Sequence, residues 1–168
     1  MKVIYIFPPL GHGGRKVASM SLVPPVLEYL AGLTTKYRPD WDVRIINANR
    51  EDVGEEDIEA DMVGISILTH QAKWAYRTAD KLRDRGIKVV FGGPHTTVMA
   101  EEAKRHADSV VVGEAESIIV ELLEDLERGT IKTLYKGVNL PLEELPVPRR
   151  DLLDGYTFKS FSTARGCP

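Results

Sequence analysis

The feature that most constrains this chain is a repeated alternation of short apolar runs with longer stretches of helical spacing. KVIYIF (residues 2–7), DVRIIN (42–47), MVGISIL (62–68), IKVVF (87–91) and SVVV (109–112) are too short for helices and rich in β-branched residues. Most of them lack the polar alternation of a half-exposed strand, which predicts strands buried on both faces. The intervening stretches place apolar residues three and four apart. Leu22, Val26, Leu30 and Leu33 form one such series, with Ser21 as a possible cap and Pro39 as a stop. A second helix is predicted over 70–85, with Ala72, Ala75, Ala79 and Leu82 on its inner face and Gly86 closing it. A short helix follows over 95–107, and another over 115–128, where Ile118, Leu122 and Leu126 form a stripe ended by Gly129.

Strands alternating with helices in this way make a parallel sheet covered on both faces, because crossovers between parallel strands are right-handed. The expected fold is α/β and doubly wound, a flavodoxin-like (Rossmann-like) five-stranded parallel sheet of order 2-1-3-4-5. Its topological switch point lies between strands one and three, where ligands bind beyond the carboxyl ends of the strands. Three segments are expected: an α/β domain over 1–138, a proline-rich linker over 139–155, and the truncated start of a further domain over 156–168. A weak strand (IKTLYKGV) precedes the linker.

With 168 residues and 43% hydrophobic content, the chain can bury one substantial core. Its net charge of −3, with Lys and Arg dispersed among acids, argues against a nucleic-acid partner. No apolar run approaches the ~20 residues that span a bilayer, so the expectation is a soluble, cytoplasmic domain with no membrane span. The single cysteine, Cys167, excludes an internal disulfide.

Four loops converge at the expected switch point: 8–20, 66–70, 92–95 and 113–116. A dinucleotide site would need G-x-G-x-x-G after strand one, but Lys16 stands where the third glycine belongs and strand two ends in Asn47 rather than an acid. No window matches a P-loop. The end of strand three has Ser66, Ile67 and Leu68 where a phospho-acceptor domain would carry aspartate. What remains is a hydroxyl-bearing loop, Ser66-Ile67-Leu68-Thr69, beside the pair Gly92-Gly93. Glycines admit a flat group close to the backbone, a hydroxyl can bond a ring nitrogen, and the helix start at Pro94-His95 can receive an oxygen. The same residues also suit a plain strand-to-helix turn with a serine cap.

The order S-x-L at Ser66 to Leu68, then Gly92-Gly93, resembles two of three motifs of cobalamin-binding domains of the methionine-synthase and mutase type. The text around them (DMVGISILTHQAKWAYRTADKLRDRGIKVVFGGPHTTVMAEEA, VVGEAE, LEDLERG, LPVPRRDLLD) is similar to the amino-terminal domain of cobalamin-dependent radical S-adenosylmethionine enzymes, over essentially the whole chain. In that family a [TS]-x-R-G-C-P element opens the radical domain, and residues 163–168 (TARGCP) match it. The resemblance implies bound cobalamin. It also implies a 4Fe-4S cluster and S-adenosylmethionine in the intact protein, with Cys167 as the first of three cluster ligands and the following radical domain as partner. Methyl transfer, or an oxidative cyclisation of the anaerobic magnesium-protoporphyrin monomethyl ester cyclase type, would then be the reaction of the intact protein.

The third motif, D-x-H-x-x-G, is represented by Leu10-Gly11-His12-Gly13-Gly14-Arg15, where only His12 fits. In the full motif the aspartate orients the cobalt-ligating histidine. His12 therefore has two readings, lower ligand or solvated loop residue. The candidate cofactor-binding set is Leu10, His12, Ser66, Leu68, Thr69, Gly92, Gly93, Pro94, His95, Gly113 and Glu114. Glu114 and Glu116 also suit a helix amino terminus without any ligand. His70 begins a helix near the site, His106 is read as idle, and Trp74 and Tyr76 as packing residues. No catalytic set is present in this length of chain: paired carboxylates, a Ser-His-Asp arrangement and a complete metal site are all missing. Two other readings stay open: a degenerate domain that docks on the radical domain without cobalamin, and a flavin or nucleotide binder.

Overall fold

A computed structural model describes residues 1–11, 24–52 and 54–153. The expectations for His12, Ser21, Leu22, Cys167 and the segment 156–168 lie outside the described residues. The strands are β1 (Lys2–Phe7), β2 (Asp42–Asn47), β3 (Met62–Ser66), β4 (Lys88–Gly92), β5 (Ser109–Val112) and β6 (Leu134–Lys136). They form one sheet of order β2-β1-β3-β4-β5-β6, with every pair parallel. The expected order 2-1-3-4-5 holds, and the weak strand joins it as a sixth member at the β5 edge. This corrects the count of five. Three residues sufficed because Leu134, Tyr135 and Lys136 pair with Val110, Val111 and Val112, and Tyr135 is buried.

The helices are α1 (Pro25–Tyr37), α2 (Ala72–Asp84), α3 (Pro94–Val98), α4 (Ala100–Ala103) and α5 (Ile119–Glu127). Pro24 occupies the N-cap of α1 and Pro25 opens it, where a missing N–H costs nothing, and the helix stops short of Pro39. The single helix expected over 95–107 is two. Met99, at φ −115° and ψ 40°, leaves helical geometry and separates α3 from α4. A 3-10 turn, Thr69–Gln71, precedes α2, and another, Ala115–Ser117, precedes α5. Gly86 (φ 82°) and Gly129 (φ 69°) close α2 and α5 in the left-handed region.

Two apolar layers flank the sheet. One joins Val3, Tyr5, Phe7, Met62, Val90 and Val111 to α1 and α5; the other joins Ile4, Ile6, Val63, Ile65, Val89, Phe91 and Val110 to α2. Strand alternation sends successive side chains to opposite layers. Ala75, Ala79 and Leu82 are fully buried in the second layer, as the inner face of α2 requires. The proline-rich segment rests on α1. Arg149 N–H donates to the Glu28 carbonyl (3.1 Å), its guanidinium donates to Thr35 Oγ1 (2.8 Å), and Leu153 is buried in the α1/α5 layer. Gly32 permits this approach, since a Cβ there would lie 2.9 Å from the Val147 carbonyl oxygen.

Burial raises the phenols of Tyr76 and Tyr135 from 10.0 to about 12, and pushes Tyr5 up further. A phenol held protonated by the fold contributes stability that is complete below its unfolded pKa and is lost as pH rises through its folded one. The urea midpoint is therefore expected to fall between about pH 10 and pH 12. Tyr135→Phe should flatten that fall, because Tyr135 Oη–H donates to Asp125 Oδ2 at 2.7 Å and can no longer ionise when replaced. An equal slope in the variant would contradict this.

Candidate functional site

The sheet face toward α1 and α5 is missing side chains where it needs them for close packing. Register places Tyr5, Gly64 and Val90 in one row and Ser66 beside Gly92 in the next row toward the carboxyl edge. Glycine, serine and glycine thus stand on neighbouring strands of the same face. The helices cannot follow the sheet into that depression, and a cavity of about 570 Å³ remains. Met62, Val90, Leu30 and Leu122 line its inner reaches; Ser66, Leu68, Pro94, Val98 and Glu114 stand at the carboxyl edge. Interiors are normally close-packed, so a void of this size is the candidate ligand pocket.

The two glycines of the β4 turn do different work. A Cβ on Gly92 would meet nothing within 4 Å and would project into open space, whereas Gly93 has φ +96° and its Cβ would lie 2.7 Å from the Ile67 amide nitrogen. Gly93 shapes the turn; Gly92 keeps the cavity open. The turn is tied to the β3 loop, with Ile67 N–H donating to the Gly92 carbonyl (2.9 Å) and His95 N–H to the Ile67 carbonyl (3.0 Å). Gly113, at φ +83°, donates to Thr97 Oγ1 (3.1 Å), and Thr97 donates to the Gly93 carbonyl (3.2 Å). Ser66 Oγ has no hydrogen bond among the described residues and faces the cavity.

The structure brings together Ser66, Leu68, Gly92, Gly93, Pro94, Gly113 and Glu114 around one cavity. Leu10 does not line it. Its N–H donates to Asn49 Oδ1 (2.7 Å), within a buried network in which Asn49 and Gln71 both donate to the Pro8 carbonyl (3.2 and 2.9 Å). Thr69 and His95 do not line it either. His95 is buried on the other side, its Nε2 2.8 Å from Tyr76 Oη and its Nδ1 3.4 Å from Thr69 Oγ1. Placement at a helix start sends the backbone of His95 to the edge of the site but its ring into the α2 layer. His106, read as idle, stacks on Tyr76 at 4.3 Å with ring planes 9° apart, and its Nδ1 lies 3.0 Å from Asp80. Trp74 and Tyr76 are packing residues, as expected. Sequence reading missed Gly64, Thr97 and Val98. A glycine inside a buried strand is itself a sign of close approach, and it was the available signal for Gly64.

Fold and cavity define a parallel α/β domain with a cleft at its carboxyl edge. The chain belongs to the B12-binding domain family, whose pattern matches residues 15–123. It is similar to bacteriochlorophyllide d C-8(2)-methyltransferase of Chlorobaculum tepidum, 34% identical over 83% of this chain and 33% of that protein. Similarity to bacteriochlorophyllide d C-12(1)-methyltransferase of the same organism is 37% over 87% of this chain and 33% of that protein. The chain thus spans about a third of the length of these relatives. Among solved structures, it resembles the N-terminal domain of a hypothetical protein of Thermotoga maritima, with TM-score 0.50 and 25% identity, covering 70% of this chain and 96% of that one. Among the described residues no helix is long and apolar enough to cross a membrane, and no cluster of three metal-ligating side chains occurs.

The glycine pair yields a contrast in stability. Gly93→Ala should destabilise the fold by about 1–3 kcal/mol through backbone strain. Gly92→Ala should leave the thermal midpoint nearly unchanged. Equal losses in thermal unfolding would contradict the division of roles.

Proposed function

We propose that this chain holds cobalamin with its nucleotide tail threaded into the cavity between the sheet and the α1/α5 pair. The observation that carries this is the cavity bordered by Ser66 and Gly92, where a Cβ on Gly92 would meet nothing within 4 Å, in a chain of the B12-binding family. Ser66 Oγ would bond the displaced base, Gly92 and Gly93 would admit the tail against backbone, and Leu68, Pro94, Gly113 and Glu114 would border the corrin ring. Thr69 and His95 would act from behind the β3 and β4 loops, and Leu10 follows β1, with His12 two residues further along the sequence. Bound there, cobalamin would supply methyl-transfer chemistry, and the residues of this chain would supply binding and orientation.

The motif in residues 163–168 supports placing the domain at the front of a radical S-adenosylmethionine enzyme, with Cys167 the first of three ligands to a 4Fe-4S cluster. Relatives named as methyltransferases favour methyl transfer over oxidative cyclisation. An intact cavity also favours a cofactor domain over a degenerate docking module, and the absent phosphate loops disfavour a flavin or nucleotide binder.

Titration of the chain with hydroxocobalamin, followed by gel filtration and the visible spectrum, tests the proposal. Co-elution with a base-off spectrum is expected, and Gly92→Val, whose side chain would fill the cavity, should abolish it. No co-elution at concentrations well above micromolar would contradict it. A changed spectrum in His12→Ala would make His12 the lower ligand; an unchanged one would leave it a loop residue.

A further inference from the structure

The polar content of the cavity varies with depth, and that gradient bears on which cobamides the chain accepts. At the carboxyl edge stand Ser66 Oγ, uncommitted among the described residues, and the Glu114 carboxylate region. Thr97, also at that edge, has its hydroxyl committed in both directions, to Gly93 and from Gly113. Deeper, beside Gly64, the lining side chains are Leu30, Met62, Val90, Leu122 and Tyr5. Only Tyr5 carries a polar atom. Its Oη lies 2.7 Å from Thr34 Oγ1, and Thr34 Oγ1 donates to the Leu30 carbonyl at 2.8 Å, so the Tyr5 proton is the one that bridges them. The strand backbone at this depth is committed to the sheet ladder. A ligand group buried there therefore finds no free donor.

From this we infer that the cavity selects cobamides whose lower base has an apolar outer edge, of the 5,6-dimethylbenzimidazole type, over those with a purine base. The inference rests on the tail-in-cavity reading above. Both bases present a ring nitrogen that Ser66 can bond near the mouth. Adenine then carries further ring nitrogens and an exocyclic amine into the deep part, where the ring nitrogens lose water and gain no donor and the amine meets no polar side chain but Tyr5; the dimethylated edge meets Leu30, Val90 and Leu122 instead. Burying such ring nitrogens unpaired costs enough to weaken binding by about fivefold or more.

The test measures, on the unmodified chain, the dissociation constants of cobalamin, of the adenine-containing cobamide, and of cobinamide, which lacks the nucleotide tail. Expected is adeninylcobamide weaker than cobalamin by about fivefold or more, with cobinamide also weaker than cobalamin. Adeninylcobamide within about fivefold of cobalamin, while cobinamide is clearly weaker, overturns the base selectivity and leaves the tail reading standing. Cobinamide as tight as cobalamin overturns the tail reading itself.

Discussion

The arrangement depends on one constraint, the parallel register that sets Gly64 and Ser66 of β3 beside Val90 and Gly92 of β4 on the same face. Alternation along each strand sends residues two apart to one side. A shift of β3 by one residue would bring Val63 and Ile65 to that face and close the depression. Register is therefore a binding determinant as well as a stability determinant here. It is held from both layers: the α2 side buries Val63, Ile65, Val89 and Phe91, while α1 and α5 rest on Met62, Val90 and Val111.

The helices above the cavity are braced from two sides. Tyr5 reaches from the sheet to Thr34 of α1, which supports the helix from below. The proline-rich segment supports it from outside, through Arg149 on the Glu28 carbonyl and Thr35, and through the close approach at Gly32. Such bracing fixes the walls of the cleft, which lowers the reorganisation needed when a ligand enters. The other layer supports the loops: His95 joins the start of α3 to Tyr76 of α2, and Tyr76 stacks on His106.

Much of this was legible in the residues. The five apolar runs gave the sheet and its order, because strands buried on both faces announce themselves without alternation. The sixth strand was weak in sequence, since three residues at an edge need only Tyr135 buried and a ladder to join. The break at Met99 carried no Gly or Pro to announce it. For the candidate site, S-x-L and Gly92-Gly93 pointed to two loops that border the cavity, but a linear motif does not say which face a side chain takes. His95 illustrates this: its neighbour Pro94 borders the cavity, while the His95 ring turns to Tyr76 in the α2 layer. Gly64 was visible as a glycine in a strand, yet its importance depends on cross-strand neighbours that only the register supplies.

The central claim is spatial, that the cofactor's nucleotide base enters the cavity between the sheet and the α1/α5 pair. A crystal structure of the chain grown with hydroxocobalamin tests it most directly. The account predicts density for the base in the cavity beside Gly92, with its mouth-side nitrogen within hydrogen-bond distance of Ser66 Oγ. Cobalamin seated at the carboxyl edge with its base still on cobalt, and the cavity without ligand density, would contradict it.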